Sequence, residues 1–257
     1  MPVYSNPRGG RAGRSPALGA LSSYRRVQAA LGLERVVLVQ PTGYGFDNRC
    51  MLEALTQLGA SARGIAVVPS DASDAKLQRL HDSGVRGVRF MMIPGAGGLL
   101  PWNALEGMAA RIAPLGWCIT LQLDERDLPQ HLAMLKRLPG KLVIDHIGKF
   151  LEPVPVEAPA FKALLALLDR PQRWVKLAAP YETSKLGPPH YADVALLAKA
   201  LLRARPDRCV WASNWPHPNR NPVPRDADLL ALLGDWTADE ALRERVLVAN
   251  PAEAFWF

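Results

Sequence analysis

"WCITLQLDERDLPQHLAMLKRLPGKLVIDH", residues 117–146, sets two short apolar runs on either side of a helical pattern. The runs, 117–123 and 141–146, are aliphatic and β-branched with little polar alternation, as strands buried on both faces are. Between them, 125–137 spaces its apolar residues for a helix, with Asp124 placed to cap its start. A strand, a helix and a strand joined by a few residues make two parallel neighbours in one sheet.

The same unit recurs in both directions. "RVVLVQ" (35–40), "ARGIAVV" (62–68) and "VRGVRF" (85–90) precede it; "RWVKLA" (173–178) and "RCVWAS" (208–213) follow. Helical patterns fall at 47–58, 73–83, 101–113, 158–168, 190–204, 226–234 and 238–247, with Asp47 and Ser73 as further N-caps. There is no GxGxxG after the first strand and no GxxxxGK[ST], and "GAGG" (95–98) reads as a flexible loop. The pattern predicts an α/β fold, a (β/α)8 TIM barrel rather than a doubly wound sheet. The runs number seven, one short of a closed barrel. A helix read within 16–32 leads straight into 35–40, so the missing strand is the first.

Composition narrows the classes. Of 257 residues, 49% are apolar, enough for a full core. No apolar run reaches membrane-spanning length. Three separated cysteines, Cys50, Cys118 and Cys209, fit a reducing cytoplasm better than a disulfide framework. The net charge of +7 is concentrated at the start, where Arg8, Arg11, Arg14, Arg25 and Arg26 stand in 1–33 without one acid. The rest is near balance, which excludes a specific nucleic-acid surface. Residues 1–20 read as a flexible basic leader and 21–257 as the barrel domain. A homo-oligomer is compatible with this composition.

In such barrels the working face lies at the strand C-termini. Those ends carry Gln40, Arg89, Gln122, Asp145 with His146, Lys176 and Asn214, with His217 just beyond. Nearby loops add Thr42, Tyr44, Asn48, Tyr181, Glu182 and His190. Each has a structural alternative: Asp145 can orient His146, His146 can be a satisfied core residue, Arg89 can pair with an acid, and Lys176 can run along the rim. Arg89 at a strand tip equally suits a substrate carboxylate. His81 and His131 fall in helices away from this face and read as surface residues. No GxSxG supports a serine nucleophile, and His146, His190 and His217 lack the spacing of a zinc site.

The blocks "RVVLVQPTGYGFDN", "GVRGVRF", "LVIDHIGK", "WVKLAAPYE", "VWASNWPHP" and "NPAEAF" occur in that order over most of the chain. Together they resemble the amidohydrolase superfamily, in the branch around 2-pyrone-4,6-dicarboxylate hydrolase and related lactonases. The resemblance implies the barrel and hydrolysis of a lactone of a small carboxylate in aromatic-compound breakdown. It implies His146 as the group that polarises the carbonyl and Arg89 as the grip on a substrate carboxylate. Asn214 takes the place of the general-base Asp at the end of the last strand. Tyr181 and Lys176 are implied pocket contacts, and Gln40 and Gln122 join them as binding residues from their strand ends.

Three departures stand out. The family's first strand carries HxH, which is absent here; the expectation is a start site upstream, or else a shortened barrel patched by the leader or a partner. Asn214 cannot accept a proton near neutral pH, which leaves His217 as the nearest substitute base. Gly95 stands where the dicarboxylate enzyme has a second Arg. No cofactor is expected: many relatives use a divalent metal, but the ligand set is incomplete here. The leading reading is a lactone hydrolase with a small anionic substrate. The alternative is a non-catalytic relative that binds a small organic acid, and a metal-dependent decarboxylase ranks behind both.

Overall fold

Every predicted apolar run becomes a strand in the computed structural model, which describes residues 21–257 apart from Asn219. The leader expected over 1–20 therefore lies outside the described residues. Helix α1 (Leu21–Ala30) leads into β1 (Val36–Val39). Then come α2 (Arg49–Leu58), β2 (Ala62–Ala66), α3 (Asp74–Asp82), β3 (Val85–Met91), α4 (Leu105–Ile112), β4 (Cys118–Gln122), α5 (Leu128–Arg137) and β5 (Lys141–Ile144). The chain continues through α6 (Pro159–Leu168), β6 (Arg173–Leu177), α7 (Ala192–Ala204), β7 (Cys209–Trp211), α8 (Asp226–Trp236), α9 (Glu240–Glu244) and α10 (Asn250–Phe255). All neighbouring strands pair in parallel, in the order β1 to β7.

Strand parity builds two cores. Outward residues such as Val88, Phe90, Ile119, Leu121, Leu142, Ile144, Val175 and Leu177 pack under the helices. Helix α6 answers with Phe161, Leu164, Leu167 and Leu168 at helical spacing, each worth about 2 kcal/mol when buried. Inward residues Ile65, Cys118, Val143, Trp174 and Val210 form the floor with Ala254 and Phe255 of α10; Val37, Val39 and Phe257 pack alongside. One cluster thus joins the first strand to the last, so the sheet is curled. Tyr24 of α1 also meets Trp215 beyond β7, with ring centroids 5.3 Å apart. Among the described residues β1 and β7 share no ladder, as expected for a (β/α)8-type barrel one strand short.

Gly87 shows how tightly the floor fills. A Cβ there would lie 2.6 Å from the Cys118 carbonyl oxygen and 2.8 Å from Ile65 Cδ1. One step up the same inner face, apolar residues give way to Arg89, Thr120, Gln122, Asp145 and Lys176. This polar layer on an apolar floor positions the site.

Small differences from the sequence reading have local causes. Asp47 does not cap α2; Asn48 holds that position, and Asp47 accepts instead from the Arg49 backbone N–H at 3.2 Å. Ser73 and Asp124 do accept from helix-start N–H groups. The helices read from 101 and 125 begin as 3-10 turns and become α-helical at Leu105 and Leu128. The "GAGG" segment is an irregular loop, yet packed: a Cβ on Gly98 would collide with the Met91 carbonyl oxygen. His81 and His131 are half-buried rather than plain surface residues, because each meets an indole. His81 Nδ1 accepts from Trp117 Nε1 at 2.9 Å, and His131 stacks on Trp102 at 3.9 Å.

Candidate active site

The inner face of β3 delivers Arg89 to the rim. Its Nη1 donates to the Gln40 carbonyl oxygen at 3.0 Å and its Nη2 to Gln122 Oε1 at 2.8 Å. Among the described residues no carboxylate forms an ion pair with it, and its Nε–H is buried without a partner. Arg89 therefore answers no acid by ion-pair contact, although its charge acts on nearby Asp145. It lines a narrow pocket with Thr42, Gly45, Met91 and Leu99, and keeps donors unspent for an anion.

Two residues expected to bind substrate are spent on structure. The Gln40 side chain is fully buried and donates to the carbonyls of Gly45 and Asp47, at 3.3 and 2.7 Å. It braces the loop after β1, as Asn48 does through the Val67 backbone. Lys176 does not run along the rim. Its Nζ lies 2.7 Å from Asp145 Oδ1, and both side chains are buried. The strand register forces this pair, since Ile144 faces Val175 and the next residues up face each other. Burial pushes the Asp145 carboxyl up, but Lys176, His146 and Arg89 pull it down, so its pKa lies below the ordinary value. Gln122 is kept at the site as the partner that fixes the Arg89 fork.

Past β5 the chain makes an unusual turn. His146, Ile147, Gly148 and Lys149 all have positive φ, 54°, 56°, 83° and 38°. Only glycine adopts this region freely; for β-branched Ile147 it is strained by about 1–3 kcal/mol. Ile147 at 1% exposure helps hold it there. The turn sets the His146 ring inside the mouth, with Nδ1 buried and unpartnered. Burial depresses its pKa to about 4, against the raising influence of Asp145 and Glu182. The imidazole is neutral at pH 7.

The loops after β6 and β7 meet in a hydrogen-bonded chain. Asp226 Oδ1 lies 3.1 Å from His217 Nε2, and His217 Nδ1 lies 2.8 Å from the Tyr181 hydroxyl. Asn214 Nδ2 donates to the Tyr181 oxygen at 2.8 Å and to Glu182 Oε1 at 3.2 Å. Glu182 Oε2 also pairs with Lys149 Nζ. Carboxylates at both ends fix the proton order. Asp226 and Glu182 only accept, so His217 carries its proton on Nε2 and the Asn214 amide turns its NH2 toward Glu182. In that tautomer Nδ1 accepts from the Tyr181 hydroxyl. Burial raises the Tyr181 pKa, and Asn214 only partly offsets this, so the phenol stays protonated. Burial likewise pushes Glu182 up, but His146 and Lys149 outweigh it and hold the carboxyl below its ordinary value.

The structure thus gathers Arg89, Gln122, His146, Tyr181, Asn214 and His217 at one mouth. His217, expected as the substitute base, is 2% exposed, with both ring nitrogens within hydrogen-bond distance of Tyr181 and Asp226. His190 is exposed beside Asp235, outside the cluster. Glu182, Lys149 and Asp226 carry weight that the sequence reading gave them no role for. "PYE" and "IDHIGK" place the first two next to recognised residues; nothing local connects Asp226 to His217.

A divalent ion does not fit these donors. His146 and Asp145 are adjacent, but the Lys176 ammonium occupies the Asp145 carboxylate. Among the described residues no group of three His, Cys, Asp or Glu side chains gathers for a metal.

Comparison with known proteins adds lineage. The amidohydrolase family model matches residues 2–257. The chain is 33% identical to D-galactarolactone isomerase of Agrobacterium fabrum over 258 residues, covering 99% of this chain and 87% of that one. It is 36% identical to 2-pyrone-4,6-dicarboxylate hydrolase of Comamonas testosteroni over 235 residues, covering 88% and 77%. A ligand-free crystal structure from Agrobacterium tumefaciens superposes with a TM-score of 0.88 at 33% identity, covering 94% of this chain and 87% of that one.

Proposed function

We propose, on the premise that this chain belongs to the amidohydrolase family, that it opens the ring of a small lactone bearing a carboxylate, by attack of water on the ring carbonyl. The substrate class proposed is a lactone of aromatic-compound breakdown, and a relative named for hydrolysis of 2-pyrone-4,6-dicarboxylate supports it. The observation that carries this reading is Arg89: among the described residues, a guanidinium beside the pocket with no carboxylate in ion-pair contact and an unpartnered Nε–H. Neutral His146 sits on the same mouth to polarise the carbonyl. The chemistry is run by side chains, and chelation of divalent ions should leave the rate unchanged. All three cysteines are free thiols, which supports a place in the reducing cytoplasm.

A second reading follows from Asn214 and the isomerase relative: a hydroxyl of the substrate attacks in place of water, and the lactone changes ring size. Turnover in ¹⁸O-labelled water separates the two. Hydrolysis puts one label into the product; isomerisation puts in none. The activity itself is tested on a panel of lactone carboxylates. Arg89→Ala should raise KM at least tenfold for the carboxylate lactones and little for neutral ones. Carboxylate binding with no turnover on the whole panel would instead mark a binding protein.

A further inference from the structure

We infer that Glu182 is the proton acceptor of this site, and that Asn214 is an amide because Glu182 already supplies the carboxylate. The assignment rests on the lactone-opening reading. Asn214 stands where a base is wanted, yet it has no proton-accepting group at neutral pH. Its Nδ2 lies 3.2 Å from Glu182 Oε1. Among the described residues, Asp145 is committed to Lys176 and Asp226 to His217 behind Tyr181. Glu125, packed against the Gly148 turn, is fully buried with both oxygens unpartnered, and burial pushes its carboxyl well above the ordinary range, so it is neither ionised as readily nor open to water. Glu182 keeps a side chain 16% exposed, with Lys149 as its counter-ion. A carboxylate in that setting is ionised at neutral pH and reachable by water.

The step balances without a co-reactant. Water oxygen bonds to the ring carbonyl carbon, its proton passes to Glu182, and the carbonyl electron pair moves onto oxygen. Collapse breaks the ring ester C–O bond, and the leaving oxygen takes the proton back from Glu182. The amide of Asn214 holds the carboxylate in line. An aspartate there would set two carboxylates about 3 Å apart, and such a pair shares one proton instead of ionising twice.

That conflict makes the test specific. Glu182→Gln should lower kcat at least a hundredfold with KM changed less than threefold. Asn214→Asp alone should gain nothing and should move the acid limb of the kcat/KM profile up by more than one pH unit. The exchange variant Asn214→Asp/Glu182→Gln should recover at least tenfold over Glu182→Gln, because the carboxylate has only changed place. The unmodified protein, which needs no variant to fold, should show its acid limb below pH 4.5. An acid limb near pH 6.5, or Glu182→Gln within threefold of the unmodified protein, overturns the assignment while leaving the lactonase reading intact. Absence of turnover by the unmodified protein on every lactone overturns both.

Discussion

His146 and Lys176 illustrate how one buried layer couples chemistry to stability. The unfolded imidazole binds a proton near pH 6.5, whereas the native one refuses it down to about pH 4. Between those values the unfolded chain holds the extra proton, so stability falls as pH is lowered from 6.5 to 4 and is fully present above that window. The loss is on the order of 3 kcal/mol. Chemical denaturation at a series of pH values should show this slope, and His146→Gln should flatten it. Lys176 bears on the same layer. Lys176→Met strands the buried Asp145 carboxylate and should cost about 3–5 kcal/mol in equilibrium unfolding, with part recovered in Lys176→Met/Asp145→Leu. The sequence made Lys176 and Asp145 visible as strand-end residues, but their pairing depends on register between β5 and β6. A single strand carries no sign of its register, and so Lys176 reads as a substrate contact until the sheet is assembled.

The elements themselves were more legible than the turns between them. Strands buried on both faces write themselves as continuous apolar runs, and the seven runs fall where the seven strands form. The turn at 146–149 is the opposite case. Gly148 is its only residue suited to positive φ, and Ile147 at 56° contradicts local preference because tertiary packing overrides it. The loop after β6 is held by a similarly non-local device. Asp193, in the first turn of α7, accepts from Ser184 Oγ and the backbone N–H groups of Lys185, Leu186 and Val194 at 2.5–3.3 Å. That knot anchors the segment carrying Tyr181 and Glu182. Asp193→Ala should destabilise the protein by roughly 2 kcal/mol and speed amide exchange over 183–187, read by hydrogen-exchange mass spectrometry.

At the scale of the whole molecule, the curled sheet has a working rim and a sealed floor. Beyond α10 the Trp256 indole lies over Gly116, where any Cβ would collide with it, and the Trp256 carbonyl oxygen accepts from Arg63 Nε at 2.8 Å. The Arg63 guanidinium sits 4.9 Å over the Phe257 ring, and Lys141 Nζ sits 5.4 Å over Trp256. Trp256→Ala/Phe257→Ala should lower stability by roughly 2–4 kcal/mol while leaving kcat unchanged, because the proposed site lies at the other end of the strands. Comparing melting temperature with turnover in one preparation checks both halves of that statement. The floor has a consequence for how the molecule comes into being. Val37 and Val39 pack against the same cluster as Phe255 and Phe257, which are separated from them by almost the full run of strands and helices. On the ribosome, a chain that has already emerged through β7 still lacks that cover. Its seven strands must wait, with an apolar interior open to chaperones or to one another, until the last of the floor has been translated.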